Sequence, residues 1–99
     1  MKNIHTNSIS QLKGFYYTAL FKSVSKAANY LSISQPAISI QIKQLESYLN
    51  KSILYRHKQE MRCTPEGEKL LKKVETIINS FDSLFDENKE EETEKEKNT

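Results

Sequence analysis

With 99 residues, 36% of them apolar, and only two Gly and two Pro, the chain has material for one modest core plus appendages, and its composition favours helices over a sheet-rich fold. Cys63 is the only cysteine and His5 and His57 the only histidines, which excludes an internal disulfide and leaves no ligand set for a structural metal. The formal charge of +2 hides an asymmetry: residues 1–85 carry twelve Lys and Arg against six acids, whereas residues 86–99 carry three Lys against seven acids. A basic body suits a polyanionic partner. No apolar run is long enough to span a bilayer and the first residues lack the order of a signal peptide, so a cytoplasmic protein is expected.

Residues 1–7 read as an N-terminal extension. The first helix starts with Ser8 as N-cap and carries an apolar stripe of Ile9, Leu12, Phe15, Tyr16 and Ala19 to an end near Phe21 or Lys22. Gly14 inside it lowers helix propensity by about 1 kcal/mol relative to Ala, which predicts close approach of another helix. A second start signal at Ser23 or Ser25 leads into a helix of about two turns ending at Leu31. Ser34 then caps a third helix to Leu49, with Pro36 in its first turn and an inner stripe of Ile38, Ile42, Leu45 and Leu49. Its opposite face presents Gln35, Ser39, Ile40, Lys43, Gln44 and Ser47, and the only acid, Glu46, comes late. Two helices joined by a short break, the second with a donor-rich outer face, have the sequence form of a helix-turn-helix.

Asn50 is suited to the left-handed conformation that ends a helix. Ile53 to Tyr55 and Met61 to Cys63 read as two short strands around the basic loop Arg56-His57-Lys58-Gln59-Glu60, which makes a wing. Thr64 caps a fourth helix, with Pro65 first and Glu66 and Glu68 in its opening turn. Along it Leu71, Val74, Ile78, Phe81 and Phe85 form a seam flanked by Leu70, Ile77 and Leu84, too wide to be covered by this chain alone; a dimer interface is expected there. The run from Asp86 to Thr99 has no apolar residue and reads as a disordered acidic tail, or as an arm that competes with nucleic acid for the basic face.

At Ser34-Gln35-Pro36-Ala37-Ile38-Ser39 the sequence resembles the LysR-type transcriptional regulators. The likeness extends through Leu12 and Phe15, Ser23 to Ala28, Gln41 to Glu46, Leu54-Tyr55-Arg56 and Thr64 to Gly67, covering about Ile9 to Leu84. It implies a mainly α fold: a winged helix-turn-helix over 8–63 with a two-stranded wing, joined to a linker helix over 64–85 through which two subunits pair antiparallel. Members of that family usually continue into a much larger effector-binding domain of the periplasmic-binding-protein type; these 99 residues carry none, so the sequence is either a fragment or a naturally short form. Three positions depart from the family pattern without harm to the fold: Lys22 and Asn50 stand where Gly is frequent and Leu54 where Phe is usual. A fourth, Ile40 in place of Arg or Lys, puts family-like base preference in doubt.

The function expected is sequence-specific binding of double-stranded DNA as a homodimer, with the helix over 34–49 in the major groove and the wing over 56–62 on the backbone or minor groove. Gln35, Pro36, Ser39 and Ile40 are candidates for base edges, and Lys43, Lys58 and Arg62 for phosphates. Arg56 is divided between DNA and the helical body. The helix ends at Ser25 and Ser34 present N–H groups to phosphates. An alternative is an interaction protein that pairs through its linker helix with a full-length relative and modulates it. His57 as a pH sensor, Cys63 as a redox switch and the aromatics as single-strand stacking groups are weaker than a solvated loop, a strand residue and core packing. No cofactor, small-molecule effector or metal is expected, and no catalytic constellation is visible.

Overall fold

The computed structural model describes residues 8–86; the N-terminal extension and all of the acidic tail except Asp86 lie outside them. Four helices and one hairpin follow in the order α1 (Ser8–Phe21), α2 (Val24–Leu31), α3 (Gln35–Leu49), β1 (Leu54–His57), β2 (Glu60–Cys63) and α4 (Pro65–Ser83). The helix starts are set by side-chain caps. Ser23 Oγ accepts from Lys26 N at 3.0 Å, Ser34 Oγ from Ala37 N at 3.2 Å and Thr64 Oγ1 from Gly67 N at 3.0 Å. Of the two candidates for the α2 cap, the cap is Ser23; Ser25 is the second residue of the helix.

Phe15, in the middle of α1, is completely buried, and around it lie Ala27 and Ala28 of α2, Ile38, Ile42 and Leu45 of α3, Ile53 and Leu54 at the wing base, and Val74 and Ile78 of α4. α1 is thus the post against which the other three helices pack. The packing reason expected at Gly14 is present: a Cβ there would lie 2.6 Å from Gln41 Oε1 on α3, so the missing side chain lets the two helices meet. Near the α1–α2 corner, Tyr17 stacks on Tyr30 at 4.6 Å between centroids, and Phe21 joins them at 5.8 and 5.5 Å. Burial and the hydrogen bond with Tyr30 push the Tyr17 hydroxyl up to about 12.

The strands reach further toward the tip than their apolar residues indicated. Cα partners run Leu54 with Cys63, Tyr55 with Arg62, Arg56 with Met61 and His57 with Glu60, which confines the turn to Lys58 and Gln59. Lys58 sits at φ 57 there, and Lys22, Ser32 and Asn50 take φ 57, 59 and 57 at the ends of α1, α2 and α3. All four are left-handed without being glycine, a conformation that Asn tolerates and Lys does not favour. Lys22 also accepts the Met61 N–H at 3.1 Å on its backbone carbonyl, tying the wing to the α1–α2 corner. Replacing Lys22 by Gly keeps that bond and removes the Cβ clash. Lys22→Gly is expected to raise stability by about 1 kcal/mol in urea unfolding. Gly67→Ala is expected to lower it by about 1–3 kcal/mol, because its Cβ would overlap the Ile53 carbonyl.

Candidate nucleic-acid interface

The outer face of α3 is formed where its inner stripe leaves off. Gln35, Pro36, Ser39, Ile40, Lys43, Gln44 and Ser47 are all exposed while Ile38, Ile42 and Leu45 are buried. Gln35, Pro36 and Ser39 line one notch together with Val24 from α2 and Arg56 from β1. Ser39, Ile40, Lys43, Gln44 and Ser47 line a second shallow depression along the same helix, almost wholly apolar on its floor. Ile40 is 57% exposed, a branched apolar side chain on an otherwise polar face. Such a face offers amide and hydroxyl donors, a methyl-sized apolar contact and one ammonium group. These are the chemistries that base edges and phosphates accept.

Arg56 is exposed and lines the notch beside the start of α3 with Val24, Gln35 and Pro36. Lys58 stands exposed at the wing tip. Arg62 is exposed but occupied: its Nε and Nη2 donate to Glu60 Oε1 at 3.3 and 3.1 Å, with both side chains 48% exposed. An exposed pair of this kind is worth at most about 1 kcal/mol and yields readily to a phosphate. Ser34 caps α3 at its exposed end, whereas Ser25 is exposed but caps nothing. Cys63 faces Leu54 across the hairpin; burial first, and then the charge of Glu68, push its thiol up, away from the thiolate that a redox switch requires.

The seam expected along α4 is rotated from where periodicity placed it. Val74 and Ile78 are 0% and 1% exposed because they face α1 and the core, so as single-chain core residues they leave the candidate interface. Leu71 and Phe81 are half-buried. Phe85 is 76% exposed but lies beyond the last helical residue, Ser83, with its ring 5.4 Å from that of Phe81. The open apolar edge consists of Ile77 at 45% and Leu84 at 70%, in line with half-buried Leu70, three residues spaced seven apart. Lys13 of α1 closes the other edge, 3.2 Å from Asp82 and 5.1 Å above the Phe81 ring.

Two positioning residues were not legible in the sequence. Glu46 Oε2 accepts from the backbone N–H groups of Ile53 at 2.9 Å and Leu54 at 3.4 Å, so the one acid of α3 fixes where the wing begins. Gln11, 7% exposed on α1, donates its amide to Gln44 Oε1 at 3.2 Å. A lone acid late in a helix that is otherwise free of acids was the available signal for Glu46; for Gln11 there was none.

Residues 9–68 match the family model described as bacterial regulatory helix-turn-helix protein, lysR family. The HTH-type transcriptional regulator CzcR of Bacillus thuringiensis (strain Al Hakam) is 40% identical over 85 residues, 83% of this chain and 28% of its own. The chain spans about a quarter of the length of the curated relatives it matches. Among solved structures, oxidized OxyR of Corynebacterium glutamicum superimposes with a TM-score of 0.79 at 30% identity, over 87% of this chain and 28% of that one. A complex of the BenM DBD with benA site 1 DNA does so with a TM-score of 0.72 at 29% identity, over 83% of this chain and 95% of that one.

Glu46 provides a test of how the wing is held. Glu46→Ala leaves two backbone donors without their acceptor and is expected to cost about 1–3 kcal/mol in urea unfolding. Glu46→Gln keeps an uncharged acceptor and is expected to cost less. Equal stability of the wild type and Glu46→Ala would show that the carboxylate does not anchor the wing.

Proposed function

The chain belongs to the LysR family of bacterial regulatory helix-turn-helix proteins, and from that membership we propose that it binds double-stranded DNA in a sequence-specific manner as a dimeric transcriptional regulator. The observation that carries this reading is the exposed face of α3, with Gln35, Pro36, Ser39 and Ile40 toward base edges and Lys43 toward the backbone, continued by Arg56 and Lys58 on the wing. The BenM DBD, which shares the fold at 29% identity, was solved with DNA, and this supports the assignment. Residues 8–63 form the reading unit in this proposal and α4 the coupling element.

Dimerisation is proposed through the Leu70, Ile77 and Leu84 edge of α4 with Phe81 and Phe85, since adjacent exposed apolar side chains of this size on one edge mark an interaction surface. Pairing fixes two α3 helices at one spacing, so the operator would carry two related half-sites. The same edge would serve pairing with a longer relative; purified protein that protects a DNA site unaided distinguishes the first arrangement from the second.

Two experiments test the proposal. Binding is expected to weaken with salt at a log–log slope of about 0.9 per phosphate neutralised. Lys58→Ala should weaken all duplexes alike, whereas Gln35→Ala should lose about 1–3 kcal/mol on the preferred site and relax choice at one base position. Salt-independent association, or unchanged selectivity in Gln35→Ala, would refute the assigned face. The second experiment separates the two neighbouring isoleucines. Ile77→Asp should yield a folded monomer in sedimentation equilibrium. Ile78→Asp buries a charge and should unfold the chain, costing about 4 kcal/mol or more. A wild type that stays monomeric at tens of micromolar would overturn the dimer.

A further inference from the structure

We propose that the end of α4 from one copy seats in the other: Phe85 and the acids that follow it fill a lysine-rimmed cleft between the end of α3 and the start of α4 of the partner. The inference deepens the reading of α4 as a dimer element and rests on it. Leu49, Ile53 and Leu70, all buried or half-buried, make the apolar side of the cleft. Lys51, Lys69 and Lys73 stand exposed around it and outnumber its one acid, Glu66. None of the three lysines forms an ion pair with a carboxylate of the described residues. Leu70 belongs both to this cleft and to the open edge of α4, and Lys73 stands one turn before Ile77, so cleft and edge are one continuous surface.

The spacing of the edge and the charges along it select the occupant. Leu70 and Leu84 lie seven residues to either side of Ile77, so a two-fold axis beside Ile77 sets Leu84 of one copy opposite Leu70 of the other. From Thr76 to Asn88 the chain has no Lys or Arg, and residues 86–99 carry seven acids against three Lys. Parallel helices would bring lysine to lysine at one end of the edge and acid to acid at the other. Antiparallel helices bring the acids to the lysines. Phe85, 76% exposed, follows Leu84 directly and arrives with it at the partner's cleft, a ring for the apolar side and carboxylates for the ammonium groups. A copy cannot supply that ring to itself, because α4 from Leu70 to Ser83 is about 20 Å long and holds Phe85 at its far end. Leu49 and Ile53 lie at the end of α3 and the base of the wing, so α4 of one copy braces the recognition unit of the other.

Sedimentation equilibrium of the full chain and its charge-reversed variants tests the proposal. Lys69→Glu/Lys73→Glu reverses the cleft and Asp86→Lys/Glu87→Lys reverses the segment that enters it; each chain alone should dimerise about tenfold more weakly than wild type. Mixed in equal amounts, the two should pair at close to wild-type strength, since both halves of the heterodimer then bring opposite charges together. A chain that folds its own acids onto its own cleft gains nothing from mixing. Lys26→Glu/Lys43→Glu has the same net charge as the cleft variant, with both changes outside the cleft. It should dimerise like wild type and fail to rescue Asp86→Lys/Glu87→Lys. Phe85→Ala should weaken the dimer about tenfold with unchanged helix content in circular dichroism. Wild-type dimer strength in either reversed chain or in Phe85→Ala would overturn the contact. Two weakened chains that stay apart when mixed, or rescue by Lys26→Glu/Lys43→Glu, would overturn seating in the partner. A wild type that stays monomeric at tens of micromolar refutes the dimer reading itself, and the seating with it.

Discussion

The join between the third helix, the wing and the fourth helix is made at the backbone of one residue, Ile53. The N–H of Ile53 donates to Glu46 on α3, its carbonyl accepts the N–H of Thr64 at 3.1 Å, and its side chain is 1% exposed in the core. Gly67 in the first turn of α4 leaves no side chain where a Cβ would overlap that carbonyl. Thr64 adds a bond from Oγ1 to the Ser52 carbonyl at 2.7 Å while capping α4 with the same oxygen. Wing and α4 are thus referenced to the end of α3; the Glu46 bonds to Ile53 and Leu54 and the Thr64 cap are partly buried and lose more when broken than the exposed Thr64 to Ser52 bond does.

The other half of the architecture depends on distance rather than on bonds. α1 and α3 meet where Gly14 leaves room for the Gln41 side chain, and the contact continues one turn earlier as the Gln11 to Gln44 bond. α3 is consequently held on one flank by α1 and at its end by the wing base, leaving free only the face that carries Gln35, Ser39, Ile40 and Lys43. A recognition surface built in this way is set before its ligand arrives, which reduces the ordering cost of association.

The sequence was informative where chemistry acts locally. Caps at Ser34 and Thr64, the left-handed Asn50 and the helix boundaries near Phe21, Leu31 and Leu49 are written in residues whose preferences are decided within one turn. It was less informative where a choice depends on a distant surface. The apolar stripe of α4 is wide enough that periodicity alone does not say which edge faces inward; α1 makes that choice by covering Val74 and Ile78 and leaving Ile77 and Leu84 open. The same holds for the candidate DNA face. Its α3 residues were legible from one helix, whereas Glu46 and Gln11 act across elements 7 and 33 residues apart in sequence, and the Glu60 pairing that occupies Arg62 depends on the hairpin turn.

Cys63 gives this arrangement a built-in reporter. It lies in the last residue pair of the hairpin, opposite Leu54 and immediately before the α4 cap, half-covered and with its thiol pushed up by burial. A thiol reagent reacts with the thiolate, so alkylation in the closed state is slow. Lifting of the hairpin from the helices would relieve both the burial and the neighbouring Glu68 charge and so speed that reaction. Because the sequence contains no second cysteine, the uptake of one alkyl group reports on this one position at the base of the wing.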